Sequence, residues 1–503
     1  MVLVIINNKF HYEMEKLTMA FFPETKVNVR KTASLSETEY EELKKAETEV
    51  LTVELLRDPT DRIKVTYTDA EKDLYIEESA TEQDIDVNGD LELLAARVLY
   101  SVLSKATGIE PSWGVLTGIR PSKLMHKFMM ELGDDGARDY FENKFLVSKT
   151  KTRLAMNVAK TENEIMAKSR PESFSLYISI PFCPGRCSYC SFVSSAVNTP
   201  SAKKIIPVYF ENLLTEVKRS AEIADEAGIK MMSGYVGGGT PSTLSAEQID
   251  RLLKTVKSSF DMSDCTEFTF EAGRPDTITK EKLIAIMENG IDRISINPQT
   301  MSDSVLREVG RKHTSQQIYD AYHDARELGF KNINMDLIAG LPTDTVEGFE
   351  DSIRKVIDLS PECITVHTLA YKRSSDLKLE GGLFSHGKNT AIMVDTANRL
   401  LYENGYIPYY MYRQARSVGN LENVGWCKPG YESTYNIFMM EECHSILACG
   451  AGAVTKLKDP DGPEIERVFN FKYPYEYNNR FDELLARKES VTDFYRRRGY
   501  GRV

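Results

Sequence analysis

Tyr177-Ile-Ser-Ile-Pro-Phe-Cys183-Pro-Gly-Arg-Cys187-Ser-Tyr-Cys190 is the stretch on which the reading of the fold turns. It holds three of the chain's eight cysteines, spaced C-x3-C-x2-C; the other five, at 265, 363, 427, 443 and 449, are dispersed. In a helix, positions i, i+4 and i+7 share one face, so a core stripe is one reading of the spacing. Pro184 and Gly185 weigh against it, because neither suits a helix interior. Random placement of the eight cysteines gives this spacing on the order of 0.2% of the time, which leaves metal binding as the better explanation. A structural zinc site needs four closed ligands, and no fourth Cys or His lies nearby in the sequence. Three thiolates suit a cubane iron–sulfur cluster with one iron free of protein ligand, since full cysteine ligation uses four.

The motif follows a strand-like run, Leu176–Ile180, and further such runs recur downstream. They are Gly234–Val236 with its preceding Met pair, Phe268–Glu271, Arg293–Asn297, Asn332–Ile338 and Cys363–Leu369. Between and after them lie helix-length amphipathic segments near 205–227, 245–259, 279–289, 315–328, 347–358 and 390–404. Six βα units in succession predict a parallel sheet, and right-handed crossovers curl it into a partial, TIM-like (β/α)6 barrel. Its active site belongs at the C-terminal ends of the strands, where the cysteine loop falls.

On either side the pattern changes. Residues 1–170 read as an α+β region of open purpose, with strands Leu3–Ile6, Lys26–Val29, Val50–Leu55 and Arg62–Tyr67. Helices are expected at Glu92–Leu103, Ser122–Leu132 and Lys149–Lys168. Trp113-Gly-Val-Leu-Thr-Gly-Ile-Arg-Pro121 links two of them; Trp113 and Arg120 either touch a ligand or serve packing ahead of a helix-starting proline. Domain limits are therefore expected at 1–170, 171–404 and 405–503, the last a mixed α/β tail rich in Tyr, Gly and Asn.

Composition sets the outer bounds. The 503 residues carry 63 Lys+Arg against 75 Asp+Glu, a net charge of −12 that argues against a nucleic-acid binder. No segment reaches the roughly 18 apolar residues of a membrane span. Met1–Ile6 is apolar but lacks the features of a secretory signal and reads as a buried first strand. A cytoplasmic protein with reduced thiols is expected.

The Cys183–Cys190 stretch resembles the cluster motif of radical S-adenosylmethionine (SAM) enzymes, and more narrowly the oxygen-independent coproporphyrinogen III dehydrogenase group. The resemblance implies a [4Fe–4S] cluster held by Cys183, Cys187 and Cys190. Its open iron chelates SAM, which one electron cleaves to methionine and a 5′-deoxyadenosyl radical. Other strand ends match the same group. Gly237-Gly238-Gly239-Thr240-Pro241 resembles the segment that contacts the SAM amino group; its glycines also suit a tight turn or amides exposed to a ligand. Glu271 matches a SAM-contacting carboxylate, Gln299 a glutamine reaching the ribose, and Asp336 an aspartate on the ribose hydroxyls. Arg311 matches an arginine near the SAM carboxylate, with a surface arginine as the alternative. Tyr177 is either the family tyrosine beside cluster and SAM or a core residue, and His367 either faces the pocket or is buried and satisfied.

Two departures stand out. Phe192 occupies the place of a fourth cysteine, as in the haem-trafficking relatives, and Ser179 the place of a histidine. The long N-terminal extension with its Trp113–Pro121 segment resembles the HemZ branch. The resemblance implies oxidative decarboxylation of coproporphyrinogen III to protoporphyrinogen IX without oxygen. The partners implied are a porphyrinogen or other small-molecule substrate and an electron donor such as flavodoxin or ferredoxin. Lys372, Arg373 and Arg413 are candidate partners for substrate carboxylates, with solvated surface charge as the alternative for all three. The rival readings are a haem-binding chaperone on the same barrel and a radical SAM enzyme for another substrate.

Overall fold

The structure is a computed structural model. It describes residues 1–503 apart from 58, 193, 371–381, 415, 416 and 500–503; for 382–386 only the backbone is described. Two compact units emerge: Met1–Ala159 with Leu379–Ala391 and Met411–Glu422, and Lys160–Lys378 with Ile392–Tyr410 and Asn423–Val503.

The first unit is built on a five-stranded sheet, β1 (Val2–Ile6), β2 (Asn28–Thr32), β3 (Glu49–Leu56), β4 (Arg62–Asp69) and β5 (Leu74–Thr81), in the order β2-β1-β3-β4-β5. β1 lies parallel to both neighbours, while β3, β4 and β5 form an antiparallel meander. The apolar run of β1 is buried throughout because both faces are covered. Leu3 and Ile5 join the core made with helices His11–Phe21 and Leu91–Thr107. Val2, Val4 and Ile6 pack with Leu43 of helix Glu37–Ala46. Strand β5 and the helices at 11–21 and 37–46 go beyond the sequence expectation. The outer face of β5, Tyr75, Glu77 and Ser79, is exposed, as an edge strand's is, so its apolar signal is thin.

The Trp113–Pro121 segment serves packing in this unit. Trp113 is buried and its Nε1 donates to Glu422 Oε2 at 2.7 Å; Lys151 Nζ pairs with Glu422 Oε1 at 2.6 Å. Gly114 has φ +56°, and a Cβ there would stand 2.0 Å from the Phe145 carbonyl oxygen, so no other residue fits. Pro121 opens helix Pro121–Asp139. Arg413, a candidate for the substrate mouth with solvated surface charge as the alternative, is neither, being buried in this unit. Its Nη1 donates to the Leu116 and Gly118 carbonyls at 2.8 and 3.2 Å, which commits the guanidinium to holding the loop. Lys372 and Arg373 lie outside the described residues.

The second unit carries the expected parallel strands: β6 (Ser173–Ile180), β7 (Lys230–Gly238), β8 (Glu267–Gly273), β9 (Arg293–Ile296), β10 (Asn332–Ala339) and β11 (Cys363–Thr368). Each pairs in parallel with the next. The helices between them are Pro200–Glu226, Ala246–Ser259, Lys280–Glu288, Ser315–Glu327 and Val346–Leu359, with a short helix Asp303–Glu308 besides. Side chains N-terminal to several helices cap them; Ser245 and Thr314 form capping boxes with Gln248 and Gln317. This is a mixed α/β, partial TIM-like barrel.

The chain's end extends the sheet. Beyond β12 (Ile407–Arg413) come β13 (Glu422–Cys427), β14 (Ser445–Cys449), β15 (Val454–Lys458) and β16 (Ile465–Phe469). The full order is β12-β13-β11-β10-β9-β8-β7-β6-β14-β15-β16. β14 runs parallel to β6, and β13 antiparallel to β11, so both edges of the six-stranded sheet are covered by late strands.

Candidate active site at the strand ends

Strand period and register assemble the site. Tyr177 pairs with Tyr235, Tyr235 with Thr269, Glu271 with Ser295, Ser295 with Asn334, and Asp336 with Thr365. Register neighbours lie on one face and alternate residues return to it, so Tyr177, Tyr235, Glu271, Ser295, Asn334, Asp336 and His367 share a face. The intervening positions are apolar and buried: Ile178, Val236, Phe270, Ile294, Leu337 and Val366. Each contributes about 1.5–3 kcal/mol on burial and fixes the register that lines up the polar row.

The cysteine loop leaves β6 at Pro181 without helical structure, which removes the core-stripe reading. Phe182–Cys183 pair in parallel with Ser195–Ala196. The Cys190 amide donates to the Cys187 carbonyl at 3.0 Å, and the Ser188 amide to the Val309 carbonyl at 3.1 Å. Burial pushes the Cys190 thiol up, and the neighbouring Cys187 and Cys183 sulfurs add to the rise. Cys190 is thus within electrostatic reach of the other two sulfurs. Among the described residues, however, no three His, Cys, Asp or Glu side chains converge as ligands of one metal ion. Three cysteine thiolates on one loop suit a cubane, where each meets a different iron.

The glycine run closes on this loop. A Cβ on Gly239 would stand 2.6 Å from the Phe182 carbonyl oxygen and 3.0 Å from Cys183 Sγ. Gly238 has φ +112°, which side-chain-bearing residues rarely adopt. The amides of Gly239 and Thr240 donate to Ile180 and Phe182 carbonyls at 2.8 Å each. They are therefore engaged within the protein, contrary to the expectation of amides exposed to a ligand. What the run provides is close backbone approach, and an ammonium, itself a donor, requires acceptors rather than amides. Thr240 Oγ1 reaches Cys183 Sγ at 3.5 Å.

Glu271 sits across from the run. Tyr235 OH donates to its Oε1 at 2.5 Å, and a Cβ on Gly237 would meet its Oε2 at 3.0 Å. Burial, reinforced by the Asp336 charge, pushes the Glu271 carboxyl up to about 7. For Asp336, burial also pushes upward, but the facing His367 and the Asn334 amide outweigh it and hold the group below its ordinary value. His367 Nε2 stands 3.8 Å from Asp336 Oδ2, and Asn334 Nδ2 donates to Oδ1 at 2.8 Å. One carboxyl of the pair thus keeps its charge readily while the other holds a proton up to neutrality.

Gln299 has φ +68° and is locked by two backbone bonds, its amide to the Asp336 carbonyl at 2.8 Å and its carbonyl from the Ile338 amide at 2.9 Å. Its buried Oε1 has no partner. A strained backbone presenting an unpaired buried acceptor fits a ligand hydroxyl. Arg311 is buried, contrary to the surface alternative. Its Nη1 donates to Tyr189 OH at 2.9 Å and its Nη2 to the Asn297 carbonyl at 2.7 Å, while Nε is buried without a partner. Tyr177 stacks with Tyr235 and Tyr435, each at 6.4 Å, and the last two lie 4.6 Å apart.

The structure thus brings the cysteines, Gly237–Thr240 and Arg311 to the loop side, and Tyr177, Glu271, Asp336 and His367 to the polar face, with Gln299 bound to the backbone of β10. Sequence reasoning missed Tyr235, Tyr435, Asn334 and Arg274. Tyr235 and Asn334 carried a signal, since they occupy the same strand phase as the polar residues singled out. Tyr435, on helix Thr434–Glu441 of the tail, carried none.

Comparison with known proteins matches the radical SAM superfamily model over residues 177–356. The chain is 38% identical over 397 residues to the oxygen-independent coproporphyrinogen-III oxidase-like protein HemZ of Bacillus subtilis, covering 78% of this chain and 79% of that protein. It is 33% identical to the heme chaperone HemW of Lactococcus lactis, over 63% of this chain and 79% of that protein. The solved structure of HemN, a coproporphyrinogen III oxidase and radical SAM enzyme from Escherichia coli, aligns with TM-score 0.49 and 24% identity over 65% of this chain and 72% of that one. The chain belongs to the radical SAM superfamily, whose cofactors are a [4Fe–4S] cluster and SAM, and within it to the family of the HemZ-like proteins.

Proposed function

We propose that this protein is a radical SAM enzyme that converts coproporphyrinogen III to protoporphyrinogen IX without oxygen, by oxidative decarboxylation of two propionate side chains to vinyl groups. The observation that carries the reading is 38% identity with HemZ over most of both chains. In it Cys183, Cys187 and Cys190 hold the cluster, and the Gly237–Thr240 run, Glu271, Gln299, Arg311 and Asp336 hold SAM. Cluster and SAM together supply a one-electron cleavage that yields a carbon radical able to take hydrogen from a substrate C–H bond. The chain's own residues bind, orient and exclude water. Glu271 accepts a cationic group and loses its proton as it does so. Asp336, kept anionic beside His367, accepts from hydroxyls, and the unpaired Gln299 oxygen does the same. Arg311, with its free Nε, serves a carboxylate while holding Tyr189 in the cysteine loop. The tyrosine cluster supplies an apolar wall that limits water. An electron donor such as flavodoxin or ferredoxin completes the system, and a cytoplasmic setting keeps the thiols reduced. Among the described residues no helix is long and apolar enough to cross a membrane.

The test is product analysis after anaerobic incubation of reconstituted protein with SAM, a reductant and coproporphyrinogen III. Protoporphyrinogen IX is the expected product; SAM cleavage without it rejects the substrate and keeps the chemistry.

Haem delivery is the second reading. It draws on the 33% identity with a heme chaperone and on Phe192, which is 37% exposed where a fourth cysteine stands in the coproporphyrinogen enzymes. A stoichiometric Soret band on addition of hemin supports it, and no band rejects it.

A further inference from the structure

Arg274 lies just past β8, is 4% exposed, and faces two ways. Its Nε and Nη2 grip the oxygens of Asp276 at 3.0 and 2.8 Å, a bidentate fork. Its Nη1 points to the cysteine loop, 3.3 Å from the Gly185 carbonyl oxygen and 3.8 Å from Cys187 Sγ. Behind the fork, His313 Nδ1 stands 3.6 Å from Asp276 Oδ1. The guanidinium is planar and rigid, so fixing one edge on Asp276 aims the other. Its positive charge is therefore held beside one particular sulfur by the Asp276 carboxylate.

We propose that Arg274 is a positioning residue for the iron–sulfur centre: clamped by Asp276, it donates to the Cys187 thiolate and raises the cluster's reduction potential. The inference rests on the assignment of Cys187 as a cluster ligand. Hydrogen bonds to cluster sulfurs are among the determinants of such potentials. A cationic donor stabilises the reduced, more electron-rich state over the oxidised one, which makes one-electron reduction easier. The contact of the same nitrogen with Gly185 also holds the loop, so activity or stability alone does not separate tuning from support.

The potential does. Full-length wild type, Arg274→Gln and Arg274→Lys are reconstituted anaerobically, their iron and visible absorbance measured, and the cluster titrated by EPR-monitored reduction without SAM. Arg274→Gln should retain iron and show a tenfold smaller equilibrium constant for reduction, about 59 mV more negative for a one-electron couple. Arg274→Lys should fall in the same direction by less, since an ammonium keeps the charge and loses the fork. A wild-type potential in iron-replete Arg274→Gln overturns the proposal. Should that variant fail to hold iron, a wild-type potential in Arg274→Lys overturns it instead. Wild type without iron–sulfur absorbance would sink the cysteine assignment itself, a different result from an unchanged potential on an intact cluster.

Discussion

Glu271 shows how one side chain carries a site. Its ordinary value is 4.5 and burial lifts it to about 7. A group raised in this way contributes stability that is full below its unfolded value and is lost as pH rises through the folded one. At pH 8 the ionised, half-buried Glu271 therefore costs on the order of 3 kcal/mol in the free protein. Glu271→Gln should raise the thermal midpoint of the cofactor-free protein at pH 8, with the gap shrinking toward pH 5. The same variant should bind SAM at least about tenfold more weakly at pH 8, where wild-type Glu271 is anionic. In wild type, SAM affinity should fall as pH drops below about 7. Calorimetric melts and SAM titrations across pH check both signs. For the cysteines, Cys187→Ala should abolish the visible absorbance of the reconstituted cluster; its retention would contradict the ligand assignment. The cysteine spacing and the carboxylates were legible because they are chemical statements in one dimension. Arg274 was not, because its neighbour Cys187 is distant in sequence and only the β8 turn brings them together.

Elements place these residues, and alternation was the readable part. Alternate positions along β6 to β11 hold the polar row and the intervening ones the core, so the barrel strands emerge from sequence within a few residues of their observed limits. Beyond alternation, the glycine run is set by contact. A methyl on Gly239 meets the Phe182 carbonyl oxygen at 2.6 Å, and backbone has little room to give. Gly239→Ala should destabilise the loop by about 1–3 kcal/mol, read as lower iron retention with the far-ultraviolet circular dichroism unchanged. The engaged amides of Gly239 and Thr240 could not be foreseen, because their acceptors belong to the strand β6 and the loop beyond it.

Across the whole chain, the tail completes what the barrel begins. Glu216, on helix Pro200–Glu226, is fully buried and accepts from the Gly450 amide, Asn470, Tyr477 and Lys488, four groups that all lie in the C-terminal tail. Glu216→Ala leaves the Lys488 charge and several donors unpaired and should cost about 3–5 kcal/mol in denaturant unfolding. The six βα units were legible as a run of local patterns. That β14 returns to pair with β6, and that the described residues within 382–391 and 411–422 fold with the N-terminal unit, were not, because such pairings leave no periodic trace in sequence. The most direct test of the central claim, one strand-end site for a three-cysteine cluster and SAM, is the EPR spectrum of the reduced, reconstituted protein with and without SAM. A spectrum changed by SAM in wild type, and changed in Glu271→Gln only at about tenfold higher SAM, is the predicted result; a cluster signal that SAM leaves unaltered would contradict the account.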